Sequence, residues 1–290
     1  MKTHIISHGG CPDGFTSAWL LNRHYEGQDV VHHFAYDRLN SPKEIEPGDR
    51  VLIADWSYPR QVLLDLSETT YVTLLDHHKT AEADLEGLDC PGLDIIFDMN
   101  KSGAMLVWDW IGQPDGAEAL VYYVQDYDLW TKEKPDTEEI NAIVQSTPMK
   151  FEDWDNLAYD LAFNRKDVVR EGTAVRRYQR KIIDAAKKDA RRMNIGGYSV
   201  WVTQAPYALG SMIAGELAEE YPDDAFAAYY IALPGEFQFG LRSRNDDGPG
   251  FDVSEVAQIF GGGGHHNASG FKIKWSESMD PLQVLLDVQS

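Results

Sequence analysis

Short apolar runs separated by helical patterns fill the first half of the chain. HIISHG (4–9) reads as a buried strand entering a glycine turn, and FTSAWLLNRHY (15–25) as the helix that follows. VVHHFAY (30–36), RVLIADW (50–56) and TYVTLLDHH (70–78) come next, each ending in polar or charged residues. Strands alternating with helices at this spacing predict βαβ units and a parallel sheet. Ligands of such sheets bind beyond the carboxyl ends of the strands. His8, Asp55 and the triplet Asp76-His77-His78 each fall just after an apolar run, so three strand ends offer metal-type ligands to one crevice.

From Asn164 to Met193 the pattern predicts one long helix, with Val168, Val169, Ala174, Val175, Tyr178, Ile182, Ile183 and Ala186 at roughly helical spacing. After Asn194-Ile195-Gly196-Gly197 strand patterns resume in YSVWVTQ (198–204), FAAYYIAL (226–233) and EFQFGLRS (236–243). GSMIAGELAEEY (210–221) and VSEVAQIF (253–260) read as the helices among them. The expected fold is therefore α/β. An N-terminal parallel-sheet domain (1–165) leads through a connecting helix (166–193) to a smaller α/β domain (194–290). A length of 290 residues agrees with two cores.

Composition narrows the function classes. No apolar run is long enough to cross a bilayer. The first residues, MKTHIISHGGCPDG, lack the basic flank and apolar stretch of a signal peptide. With only Cys11 and Cys90, no disulfide framework is expected, and the cytoplasm is the expected compartment. A net charge of −21 disfavours coating of extended duplex nucleic acid, which needs a broad basic surface. Eleven of the 26 Lys and Arg lie between Arg165 and Arg192, as a solvated helix face or as a strip facing substrate. A small anionic substrate at a metal centre remains compatible with the acidity, because bound cations reverse the local sign.

Nine histidines occur and none lies between residues 79 and 264. One group sits at strand ends, and His265-His266 sits in a glycine-rich stretch. In Asp76-His77-His78, adjacent side chains diverge, so one imidazole can meet a metal while the next faces substrate. Asp76 can accept a ring N–H and orient a histidine. His8-Gly9-Gly10-Cys11-Pro12-Asp13-Gly14 adds His and Asp in one turn, a donor set suited to Mn2+ or Mg2+. Asp55 follows VLIA and Asp126 follows VYYV, each readable as a ligand or as a helix cap. The glycines of 261–270 can form an anion nest, with His265 adding a donor. Arg242 and Arg244 can grip phosphate, or instead pair with Asp246 or Asp247. Lys101-Ser102-Gly103 is a further candidate for lining the crevice, and Trp19, Trp108, Trp110 and Trp130 read as core.

These motifs resemble those of the DHH phosphoesterases with a DHH-associated C-terminal domain, a group that includes oligoribonucleases, RecJ-type exonucleases, cyclic dinucleotide phosphodiesterases and polyphosphatases. The residues that carry the resemblance are His8 to Gly14, Asp55 in IADWS, Asp76-His77-His78, Asp126 in VQDYDLW, LRSR at 241–244 and GGGHHNASG at 262–270. Motifs in the expected order from residue 8 to residue 270 make it span nearly the whole chain.

The resemblance implies two divalent cations, Mn2+ foremost, with Mg2+ or another ion open. Asp55 would bridge them, His8 would hold the first, and Asp13, His77 and Asp126 the second, with Asp128 a rival for Asp126. Asp55, His77 and His78 would be catalytic, and Asp76 would orient its neighbours. His78, Arg242, Arg244, Gly262, Gly263, Gly264 and His265 would bind substrate. One departure stands out: where the group's first motif carries its first Asp, this chain has Cys11, one residue further from His8. Cys11 is read either as a soft ligand or as an inert thiol. The leading expectation is hydrolysis of short oligonucleotides to mononucleotides. A cyclic dinucleotide phosphodiesterase, an exopolyphosphatase or pyrophosphatase, and a non-catalytic nucleotide sensor are the alternatives. Homodimer formation is left open.

Overall fold

In the computed structural model, residues 1–36, 38–244 and 250–275 are described. The chain divides into two compact units, Met1–Arg176 and Arg177–Ser290. The first unit runs β1 (Thr3–His8), α1 (Pro12–His24), β2 (Val30–Ala35), β3 (Arg50–Ala54), α2 (Arg60–Ser67), β4 (Tyr71–Asp76), α3 (Lys79–Leu85) and β5 (Leu93–Phe97). Helices α4 (Gly103–Trp110), α5 (Glu118–Asp128), α6 (Thr137–Ser146) and α7 (Phe151–Phe163) follow, then α8 (Arg165–Lys188), which enters the second unit. All five strands are parallel, in the order β2-β1-β3-β4-β5. The parallel sheet expected from the strand–helix alternation is thus present.

The near-continuous apolar runs have a physical reason: both faces of the sheet are covered. Ile5, Leu52 and Leu75 point to one side, into a core shared with Trp19, Leu106, Leu120 and Trp154 from α1, α4, α5 and α7. Ile6, Val51, Ile53, Val72 and Leu74 point to the other, against Leu63 and Leu66 of α2 and Leu85 of α3. The alternation follows the two-residue period of a strand. Strand order reverses between β1 and β3, and such a reversal opens a crevice at the carboxyl edge because the flanking connections leave in opposite directions.

VYYV at 121–124 is not a strand end: it lies inside α5, with Leu120, Val121 and Val124 buried at helical spacing. The long helix also stops earlier than its pattern suggests. Arg191–Ile195 form β6, paired antiparallel with β7 (Tyr198–Gln204). Gly196 and Gly197, both at positive φ, make the two-residue turn between them. The second unit continues through a single 3-10 turn (Tyr207–Leu209), α9 (Gly210–Glu220), β8 (Ala227–Leu233), β9 (Glu236–Arg242), α10 (Val253–Ile259), β10 (Gly263–Gly264) and β11 (Ala268–Lys274). Its mixed sheet has the order β10-β11-β9-β8-β7-β6. Three of the basic residues of α8 form ion pairs with other helices: Arg176 with Glu138 and Glu139, Arg180 with Glu216, and Lys187 with Glu216 and Glu220.

His32 on β2 reports on the stability of the first unit. Its Nε2 lies 3.0 Å from the Asn22 oxygen and its ring packs 4.8 Å from Phe151. Burial, reinforced by the neighbouring His33, lowers its pKa from 6.5 to about 4. Below pH 6.5 the unfolded chain therefore takes up a proton that the folded chain refuses, and stability falls with pH. Urea unfolding is expected to show the midpoint dropping between about pH 6.5 and 4, with a smaller drop in His32→Gln. Equal drops in both proteins would show that His32 is not responsible.

Candidate metal centre

The carboxyl edge at the β1/β3 reversal collects the chemistry. Asp55 leaves β3 at a φ of 54°, a left-handed conformation uncommon for a residue with a side chain. Gly103 explains why the turn is tolerated: a Cβ there would come within 2.4 Å of the Asp55 Cβ. The start of α4 thus lies directly against Asp55. Its backbone N–H groups also serve the site, since Gly103 and Ala104 donate to the two oxygens of Asp13 at 2.6 and 2.9 Å. The positive end of a helix dipole is thereby turned on a buried carboxylate. Ser102 caps the same helix through Met105, and Lys101 pairs with Asp109 at 2.8 Å. Lys101-Ser102-Gly103 is therefore a support of the site in these contacts.

The two oxygens of Asp55 face different partners. Oδ1 lies 3.0 Å from His77 Nε2, which is also 3.5 Å from Asp13 Oδ2 and 3.6 Å from Asp128 Oδ2. Oδ2 receives the Cys11 thiol at 3.3 Å and lies 3.6 Å from His8 Nδ1. Two ligand sets therefore share one carboxylate: Asp13, His77 and Asp128 on one side, His8 and Cys11 on the other. Asp76, at the end of β4, accepts from the backbone N–H of His77 at 2.8 Å and from His78 Nδ1 at 2.6 Å.

Electrostatics follow from this crowding. Burial, with the charges of Asp55 and Asp128, pushes Asp13 well above the usual carboxylate range. Burial also opposes ionisation of Asp55, but hydrogen bonds from His77 and His8 outweigh it and hold Asp55 well below that range. His77 is pushed up to about 10: burial disfavours its charge, yet the bond to Asp55 and the charges of Asp128, Asp55 and Asp13 prevail. The Cys11 thiol is raised by burial and by Asp55 and Asp13, against a smaller pull from the Gly14 N–H. Imidazole, carboxylate and thiol donors on both sides of a shared Asp fit divalent metal ions in that place.

The structure brings His8, Asp13, Asp55 and His77 together, and it separates Asp126 from them. The Asp126 carboxylate accepts from Thr137 and Thr131 Oγ1 and from the backbone N–H groups of Glu133 and Lys134. Burial alone would raise its pKa, but these bonds outweigh that and lower it. Asp126 thus fastens the loop between α5 and α6. Asp128 takes the place in the cluster that the motif assigned to Asp126. Positions two apart on a helix point some 200° away from each other, so only one of the pair can face the site. Reading VYYVQDYD as helix from its buried Leu120, Val121 and Val124 was the signal for this separation.

In the second unit, Gly262, Gly263, Gly264 and His265 belong to a hairpin. Gly263 and Gly264 pair with Gly270 and Ser269, while the N–H groups of Gly262 and His265 are taken by the carbonyls of Ala257 and Ala268. Those commitments leave less of an anion nest than the sequence suggested. A Cβ at Gly262 would lie 2.1 Å from the Gly270 carbonyl oxygen, which accounts for the glycine there by close strand approach. Arg242 is held in place, donating to Ser211 Oγ at 2.5 Å and to the Leu241 carbonyl at 2.8 Å, with its guanidinium 5.9 Å from the Tyr229 ring centre. The suggested pairing of Arg242 or Arg244 with Asp246 or Asp247 lies outside the described residues.

No protein-family model matches the chain. An uncharacterized protein of Acanthamoeba polyphaga mimivirus is 26% identical, over 98% of this chain and 70% of that protein. Among solved structures, the exonuclease RecJ bound to manganese superposes with a TM-score of 0.50 at 17% identity, covering 99% of this chain and 89% of that one. RecJ of Thermus thermophilus in complex with Mn2+ gives 0.53 at 16% identity, over 99% of this chain and 51% of that longer one.

Asp126→Asn is expected to lower stability by about 1–3 kcal/mol, the scale of a disrupted buried hydrogen-bond acceptor, while leaving Mn2+ affinity unchanged. Asp128→Asn should do the reverse, keeping the denaturation midpoint and weakening Mn2+ in calorimetric titration. Gly103→Ala should cost about 1–3 kcal/mol by overpacking and also weaken Mn2+, because Asp55 has to move. The chain shares the fold of these RecJ structures, and its Asp76-His77-His78 triplet stands within the ligand cluster at the carboxyl edge of the parallel sheet.

Proposed function

We propose that this chain is a metal-dependent phosphodiesterase of the DHH type that cuts short oligonucleotides to mononucleotides. One observation carries the reading: the two oxygens of Asp55 face two separate ligand sets, the arrangement a carboxylate needs to bridge a pair of cations. The motif order from His8 to Gly270 and the RecJ-like fold support it. Two bound divalent ions supply Lewis acidity toward a phosphoryl oxygen and lower the pKa of an attacking water. Mn2+ is the ion proposed, as in the manganese-bound RecJ structures.

The chain's own groups do the rest. Asp55 would hold both cations, with His8 on one side and Asp13, His77 and Asp128 on the other. The N–H groups of Gly103 and Ala104 fix the direction of Asp13, so the ligands are oriented before substrate arrives. Asp76 accepts from His78 Nδ1 and so orients its ring, and His78 is the side chain proposed to meet a phosphate oxygen. Burial works against a charged His78, but Asp76 outweighs it and raises the pKa, which favours a donor aimed at the phosphoryl oxygens where charge develops. Arg242, Arg244 and His265 of the second unit bind the terminal phosphate or base, and the fixed guanidinium of Arg242 loses little freedom in doing so. Short substrates suit the net charge of −21, because few phosphates need neutralising.

Purified protein with Mn2+ is expected to release mononucleotides from a short RNA, and Asp55→Ala to reduce that release to background. Arg242→Ala and His265→Ala should chiefly raise KM. Phosphate release from polyphosphate or pyrophosphate with intact RNA would replace the reading by a polyphosphatase, and cleavage of a cyclic dinucleotide alone would narrow it to that substrate. Undiminished turnover in Asp55→Ala would remove the bridging role.

A further inference from the structure

The two ligand sets around Asp55 differ in chemical hardness. Asp13 and Asp128 cluster with His77, and Asp55 Oδ1 lies 3.0 Å from His77 Nε2, so that side is an oxygen-rich set that suits hard ions such as Mn2+ or Mg2+. On the other side the donors within reach are His8, Cys11 and Asp55, so a sulfur replaces one hard oxygen. From these donors we infer that the Cys11 side selects a thiophilic cation such as Zn2+, making the centre heterodinuclear, with the hard ion confined to the His77 side. The inference rests on the bridging role proposed for Asp55 and adds which ion each side takes.

Cys11 is placed for coordination by its own segment. It is the N-cap of α1, and its sulfur accepts the Gly14 N–H at 3.2 Å, which fixes the rotamer. That rotamer aims the thiol at Asp55 Oδ2, 3.3 Å away. His8 Nδ1 approaches the same oxygen at 3.6 Å, so sulfur and imidazole converge on one point from separate residues of a single turn. Gly10, at a φ of 75°, provides the left-handed step between His8 and Cys11. Gly14 lets α1 start against β1: a Cβ there would lie 2.4 Å from the His8 carbonyl oxygen. Binding exchanges a proton for a cation. The S–H bond breaks, its electron pair becomes the sulfur–metal bond, and the proton leaves to solvent, with no change of oxidation state.

Metal-free protein titrated with Co2+ tests this by absorption, with bound metal counted by elemental analysis. The expected result is two ions per chain and a sulfur-to-cobalt charge-transfer band in the near ultraviolet, lost in Cys11→Asp and in Cys11→Ser. With Zn2+ and Mn2+ supplied together, the wild type should retain one of each. Cys11→Asp should weaken Zn2+ relative to Mn2+ by at least roughly tenfold, the lower end of what even a residue supporting a ligand contributes. Two ions without the band would overturn the thiolate ligand and leave the dinuclear reading standing. A failure to bind two ions would overturn both. Circular dichroism of the variants separates a lost ligand from a lost fold.

Discussion

Like charges gathered in a small volume set the terms for the first unit. Two carboxylates about 4 Å apart repel by about 4 kcal/mol at an effective dielectric of about 20, and Asp55 has Asp13 and Asp128 around a single imidazole. The surrounding structure answers that repulsion. The N-terminus of α4 turns two N–H groups on Asp13, and the ring of His77, its pKa pushed up to about 10, lies between the acids. Asp55 itself sits in a left-handed conformation that holds only because Gly103 leaves room for it. Strained backbone of this kind costs about 1–3 kcal/mol and persists where neighbouring structure over-determines it. The parallel sheet provides that determination, since β1, β3 and β4 all deliver their last residues to one edge.

The same electrostatics would reconcile the acidity of the chain with the anionic substrate proposed for it. On α8, Arg176, Arg180 and Lys187 are engaged by Glu138, Glu139, Glu216 and Glu220, so part of that helix's positive charge is already matched. Under the proposed function, attraction for phosphate would come from locally held cations and a few placed side chains such as Arg242. Acidity elsewhere on the chain would weaken long substrates more than short ones.

Asp126 and Asp128 illustrate how a fold apportions two identical side chains. One carboxylate collects hydrogen bonds from Thr131, Thr137, Glu133 and Lys134, and so joins α5 to the start of α6. The other, at the end of α5, stays among ligands that a cation can use. The glycine-rich hairpin shows the same economy of roles, because several of its N–H groups serve β-pairing and helix capping before any ligand is considered.

The hydrophobic period was enough to reveal the parallel sheet, and the placement of His8, Asp55 and Asp76-His77-His78 after apolar runs pointed to the sheet edge where these side chains cluster. Those features are local: side-chain alternation and the residue at a strand end depend on a few neighbours in sequence. Less legible were the end of α8, where Arg191–Ile195 turn to strand, and the identity of the second Asp in VQDYD. Both depend on partners far away in sequence or on rotation about a helix axis. Likewise, tertiary contacts alone placed Gly103 beneath Asp55, the α4 N–H groups on Asp13, and Cys11 with His8 on one oxygen of Asp55. Sequence named the donors; only the folded chain decided which of them meet, because convergence in space is a property of packing.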